Sequence, residues 1–91
     1  MSGGLQMVIT DVHVRKVDEG GRMKALASVT FDDVFVVRDI RVIEGNNGYF
    51  LAMPSRKLPN GEFRDVAHPV NPGMRHELTE LVLNEFASQE R

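Results

Sequence analysis

Residues 35–43, with the sequence FVVRDIRVI, are apolar on both faces of an extended strand, and this constrains the fold more than any other feature. Successive side chains of a strand point to opposite faces. One face would carry Val36, Ile40 and Val42, and the other Phe35, Val37 and Ile43. A strand with apolar residues on both sides lies inside a sheet. We therefore expect a helix to cover one face and a second subunit the other.

Two segments before this strand alternate between apolar and polar residues. Residues 8–17 place Val8, Val12 and Val14 on one face. Residues 24–31 place Ala25, Ala27, Val29 and Phe31 together. Links of hairpin length separate the three segments, and such links join antiparallel neighbours. The pattern therefore predicts an antiparallel meander.

Two further turn signals follow the meander. Gly45-Asn46-Asn47-Gly48 predicts a tight turn into a fourth strand, residues 49–53. Leu58-Pro59-Asn60-Gly61-Glu62 suits a type I turn with Pro59 at the first central position and Gly61 in the left-handed conformation. This second turn predicts a hairpin arm made of residues 55–58 and 62–67.

The last part of the chain has helical periodicity. Asn71 followed by Pro72 is a typical N-cap and first-turn pair, and the helix is predicted to run to about residue 88. The predicted buried stripe consists of Met74, Leu78, Leu81, Val82 and Phe86, with Leu83 beside it. The predicted fold class is α+β: an antiparallel β-sheet, formed by a meander plus a hairpin arm, followed by one C-terminal α-helix.

The size of the chain favours a dimer. A domain of 91 residues buries only about 60–65% of its unfolded surface, and the chain has no cysteine to cross-link it. We expect residues 1–6 to be a disordered extension and residues 7–91 to be one domain. No apolar run reaches the roughly 20 residues that span a bilayer, so a cytoplasmic protein without membrane contact is expected.

The charge pattern restricts where a polyanion could bind. The net charge of −2 argues against a protein that coats DNA without specificity. Residues 1–64 hold nine Lys and Arg against eight Asp and Glu, whereas residues 65–91 hold two against five. An anion-binding surface is therefore expected in the sheet and its loops.

Residues for catalysis or metal binding form no recognisable pattern. His13, His68 and His76 share no ligand spacing, and no nucleophile elbow, Walker loop or dinucleotide fingerprint is present. We therefore expect no enzymatic activity, no metal, no cofactor and no small-molecule substrate.

The arm concentrates basic residues: Arg56, Lys57 and Arg64. A two-residue turn would place Lys57 opposite Arg64, and a three-residue loop would place Arg56 there. In either register two cations face each other, which is destabilising unless an anion relieves it. The alternative is an ordinary solvated hairpin, neutralised by Glu62 and Asp65.

Two arginines lie on the central strand. Arg38 is predicted to pair with an acid such as Asp39, while Arg41 is a candidate contact for nucleic acid. Aromatic residues near the basic groups are few, namely Tyr49, Phe50 and Phe63, so a base-stacking surface has little support.

Five stretches of the chain resemble the bacterial SpoVG family, stage V sporulation protein G. They are ITDV (9–12), MKALASVTFD (23–32), VVRDIRVIEG (36–45), FLAMPSRK (50–57) and GEFRDVAHP (61–69). The resemblance covers residues 7 to about 86. It implies a small homodimer in the bacterial cytosol, a regulatory role with binding of specific DNA sites and also of RNA, and a link to asymmetric septation in spore formers.

The resemblance also implies binding residues. Arg56, Lys57 and Arg64 occupy the basic arm of the family pattern. Family members often carry further basic residues in and before the helix. In the corresponding segment of this chain, residues 72–76, Arg75 is the only residue that is always positively charged. With Arg41, these residues form the predicted nucleic-acid surface. The alternative function is a protein-interaction module of the division or sporulation machinery, without direct nucleic-acid readout.

Overall fold

The three strands of the predicted meander and the predicted fourth strand form one antiparallel sheet. The computed structural model describes residues 7–17 and 20–89, so the predicted extension, residues 1–6, lies outside them. The elements are β1 (Ile9–Lys16), β2 (Met23–Phe31), β3 (Phe35–Gly45), β4 (Gly48–Ala52), β5 (Ser55–Lys57), β6 (Phe63–Asp65) and α1 (Pro72–Ser88). The main sheet has the order β1-β2-β3-β4, and β5 pairs with β6 as a separate hairpin. The predicted α+β fold is confirmed.

The core lies between one face of the sheet and α1. All four residues predicted for the inner face of β2 are buried: Ala25, Ala27, Val29 and Phe31. Leu78, Val82 and Phe86 of the helix are buried against this face, together with Ile40 and Val42 of β3. Removing apolar surface from water stabilises this contact by about 25 cal/mol for each Å² buried.

A β-bulge in β3 changes which side chains share a face. Ala27 pairs with Ile40 but Val29 pairs with Val37, so β3 has one extra residue in this interval. Asp39 lies in the bulge with φ of 64°. Because an extra residue reverses the alternation, Val37 lies on the same face as Ile40 and packs against the core. The predicted grouping of Val36 with Ile40 and Val42 was wrong, and Val36 is 42% exposed.

A second irregularity affects the start of β1. The register shifts between Ile9 and Asp11, which leaves Thr10 without a partner in the ladder. Val12 and Val14 face the core as predicted, but Ile9 packs against it in place of Val8, which is 54% exposed. The reversal of alternation at the bulge again explains the error.

The helix begins as predicted. The Asn71 side chain accepts a hydrogen bond from the Met74 N–H at 2.9 Å, and Pro72 occupies the first turn. The predicted stripe is wrong at one position, since Leu81 is 36% exposed while Leu83 packs against the core. These two residues lie about 100° to either side of Val82 on a helix, so their spacing alone does not decide which one is buried.

The helix contacts β1 and β4, the two outer strands of the sheet, and covers one face. The opposite face, here called the outer face, carries the side chains that alternate with the buried ones, such as Leu26 and Arg41. Among residues 7–17 and 20–89, no helix has the length and apolar character needed to cross a membrane.

We expect Phe86→Ala to destabilise the fold by about 3–5 kcal/mol, because it creates a cavity beneath the helix. It also removes the edge-on contact with Tyr49, whose ring centroid lies 5.0 Å away. Leu81→Ala, a truncation on the same helix at a partly exposed position, should cost about 1 kcal/mol or less. Urea unfolding measures both. Equal losses for the two variants would contradict the observed orientation of the helix.

Candidate nucleic-acid interface

The basic arm consists of β5, β6 and the loop between them. Arg56 pairs with Arg64, so the three-residue loop is the correct alternative of the two predicted. The Gly61 N–H donates to the Leu58 carbonyl at 2.9 Å, and the Leu58 N–H donates to the Glu62 carbonyl at 2.7 Å. Gly61 has φ of 90°, the left-handed conformation predicted from the sequence.

One face of the arm carries two opposed cations. Arg56 and Arg64 are directly opposite on neighbouring strands and both are exposed. Neither Glu62 nor Asp65 forms an ion pair with an arm cation within the described residues. The direct ion pairs that would neutralise the arm are therefore not formed among these residues. Like charges at directly opposed positions disfavour the hairpin, and an anion bound between them would remove that repulsion.

Lys57 lies on the other face of the arm. It pairs with Phe63, whose side chain is 71% exposed. The three predicted basic residues therefore share one hairpin but not one face. An exposed ring beside a cation can stack on an unpaired base. The sequence contained this ring, but its position opposite Lys57 follows from the register of the hairpin.

Arg41 connects the main sheet to the base of the arm. Its guanidinium donates to the Met53 carbonyl at 3.4 Å and to Ser55 Oγ at 3.2 Å, and the side chain is half-buried. These bonds hold the segment that leads into the arm. Ser55, the partner of Arg41, was not identified from the sequence because the two residues are 14 positions apart.

Arg75 lies in the first turn of α1. Its guanidinium donates a hydrogen bond to the Pro69 carbonyl at 3.4 Å, which links the helix to the segment that precedes it. The side chain is exposed and keeps further donors available to a ligand.

Arg38 does not pair with Asp39. No ion pair or hydrogen bond of the Arg38 side chain is formed with any residue in 7–17 or 20–89, and the residue is exposed. The expected partner, Asp39, has a left-handed backbone conformation in the bulge. No sequence pattern indicates that conformation. Arg38 was predicted to pair with an acid, and it was therefore not among the predicted binding residues.

The three histidines are not brought together. His13 lies 2.9 Å from Asp11, His76 lies 3.6 Å from Glu80, and the ring of His68 is 3.2 Å from the Pro69 carbonyl oxygen. Within the described part of the chain, no three His, Asp or Glu side chains are close enough to hold a metal ion.

Known proteins similar to this chain carry the SpoVG name. The SpoVG family pattern matches residues 7–88. A protein of Caldanaerobacter subterraneus subsp. tengcongensis is 61% identical over 80 residues, covering 88% of each chain. Proteins of Staphylococcus carnosus and Bacillus velezensis are each 58% identical over 80 residues, which is 88% of this chain and 75% and 82% of theirs. All three are named "Putative septation protein SpoVG". The chain therefore belongs to the SpoVG family.

Proposed function

We propose that this protein is a cytoplasmic, homodimeric regulator that binds DNA or RNA through its basic arm and acts in sporulation or septation. The septation part of the proposal follows the names of the similar proteins. The nucleic-acid part rests on the chemistry of the arm, and the proposed function involves no catalysis.

The observation that carries the proposal is the opposed pair Arg56 and Arg64. Both guanidinium groups are exposed, and neither is paired with an acid in the described residues. Guanidinium groups bind phosphate oxygens through paired hydrogen bonds. A phosphate between the two arginines would replace their repulsion with two attractions. Lys57 and Arg75 provide further cations for the same polyanion.

Exposed apolar residues at one end of the sheet support the homodimer. Met7, Phe35 and Val70 are 53%, 60% and 89% exposed. Met7 and Phe35 border a hollow of about 160 Å³ whose wall also includes Pro69, the neighbour of Val70. We call the surface formed by Met7, Phe35, Pro69 and Val70 the apolar end. A second copy of the chain on this surface would bury the apolar side chains that the monomer exposes.

The same exposed apolar side chains favour a second candidate function, a protein-interaction module of the division machinery. In that case nucleic-acid binding would be incidental. The two functions differ in their response to salt, because counterion release makes nucleic-acid binding fall steeply as salt rises. Association through apolar contacts does not fall in this way.

Arg64→Ala should weaken binding to duplex DNA of many sequences and flatten its salt dependence. Each lost phosphate contact removes about 0.9 from the slope of log K against log salt, and a dimer with two arms loses about 1.8. Stability should change by no more than about 0.5 kcal/mol, because the variant also relieves the repulsion with Arg56. Fluorescence anisotropy at several salt concentrations measures the slope, and thermal melts measure stability.

Arg22→Ala is the matched control for Arg64→Ala. It removes the same charge from a residue whose Nε donates to the Glu44 carbonyl at 2.9 Å, at the far end of β3. Lys57→Ala, on the other face of the arm, should give a smaller loss than Arg64→Ala. If Arg22→Ala lowers the slope as much as Arg64→Ala, the binding surface is not the arm.

The protein should sediment at about twice its chain mass of 10.2 kDa. Phe35→Ser should shift it toward the monomer, because this side chain borders the hollow of the apolar end. Phe50→Ser is the control, since Phe50 is another exposed phenylalanine, 50% accessible, on β4. A folded wild-type monomer at micromolar concentration would contradict the proposed dimer, and dissociation by Phe50→Ser alone would place the interface elsewhere.

A further inference from the structure

A cleft of about 580 Å³ lies between the outer sheet face and the base of the arm. Leu26 and Val36 line it from the sheet, and Pro54 and Val66 line it from the segments that enter and leave the arm. Val36 and Val66 are 42% and 66% exposed. This outer cleft has the volume of a small-ligand pocket, about 300–1,000 Å³, and apolar walls that suit a flat ring.

Two arginines bring positive charge to the outer cleft. Arg41 is held by its bonds to the Met53 carbonyl and Ser55 Oγ, whereas Arg38 has no partner within residues 7–17 and 20–89. Asp39 also lines the cleft, which leaves one net positive charge among the three. Its carboxylate can accept a hydrogen bond from a base amino group. The cleft therefore combines apolar walls, a free guanidinium and a hydrogen-bond acceptor.

A nucleotide needs this combination of groups. Unpaired bases stack on apolar side chains and guanidinium planes, while their phosphates bind cations. A base inside a duplex reaches such a cleft only by leaving the stack, which costs a few kcal/mol. We propose that the outer cleft binds an unpaired nucleotide of single-stranded DNA or RNA, with Arg38 on the phosphate and the apolar walls against the base. This inference rests on the proposed function and specifies the strand state of the nucleic acid.

The outer cleft continues across the sheet toward β1. A neighbouring depression is lined by His13, Arg15 and Ser28, and it shares Leu26, Arg38 and Asp39 with the outer cleft. Arg15, Leu26, Arg41 and Ala52 are neighbours across the four strands. At about 4.8 Å between strands, this row extends over about 14 Å. A single strand seated in the cleft can therefore follow the outer face from Arg15 to the arm.

Arg38→Gln tests the proposal in the full-length protein. The probes are short oligothymidylate and oligouridylate strands and a DNA duplex of equal length, measured by fluorescence anisotropy. We expect the variant to bind the single strands about five- to tenfold more weakly and the duplex less than twofold more weakly. The salt slope for single strands should fall by about 0.7 for each lost contact. Tighter binding of oligouridylate than of oligothymidylate would identify RNA as the source, since only RNA has the 2′-hydroxyl.

Arg22→Gln is the control of equal charge and should leave single-strand binding unchanged, because Arg22 bonds to the Glu44 carbonyl, about 20 Å along β3 from Arg38. Three results would overturn the proposal. Arg38→Gln could bind single strands with unaltered affinity, or it could lose equal affinity for single strand and duplex. It could also sediment differently from the wild type, which would make the outer face a contact between protein chains. If the wild type binds with dependence on Arg64 but not on Arg38, the cleft assignment fails and the proposed function stands. If the wild type binds no nucleic acid, both fail.

Discussion

The packing of α1 over the inner face of the sheet, where β2 contributes the most buried residues, is the interaction on which the rest of the structure depends. Ala25, Ala27 and Val29 are at most 3% exposed, and the small alanine side chains leave room for the helix residues Leu78, Val82 and Phe86. At this chain length the hydrophobic core is thin, because a small domain buries a smaller fraction of its surface than a large one. This core uses one sheet face and the only helix of the described residues, so no helix in that part of the chain covers the other face.

The bulge at Arg38 and Asp39 links the fold to the candidate site. The extra residue reverses the alternation of side chains and so places Val37 on the core side of the sheet. The Arg38 side chain lies on the outer face, without an acidic partner among the described residues. A positive φ at a residue other than glycine is uncommon, although Asp tolerates it better than most. Such irregularities often lie next to functional sites, where they redirect a side chain.

The arm combines a local turn with a tertiary anchor. Pro59, Asn60 and Gly61 specify the loop, since Gly61 adopts positive φ and the Asn60 side chain accepts a hydrogen bond from the Glu62 N–H at 2.9 Å. The loop length then places Arg56 opposite Arg64. The bonds from Arg41 to the Met53 carbonyl and to Ser55 orient the base of this hairpin relative to the sheet. The proposed binding surface therefore depends on a residue outside the arm.

The sequence by itself determined the order of the strands, the position of the turn at residues 59–61 and the helix cap at Asn71, because these depend on local turn chemistry, capping and periodicity. The family followed from the resemblance of five stretches of the chain. Tertiary structure decided which side chains share a face. The spacing of Leu81 and Leu83 about Val82 is symmetric, so only docking on the sheet buries Leu83 and exposes Leu81. Alternation likewise predicted the wrong face for Val8 and Val36. A β-bulge depends on how a strand pairs with its neighbour, so the hydrophobic pattern of the strand alone does not predict it.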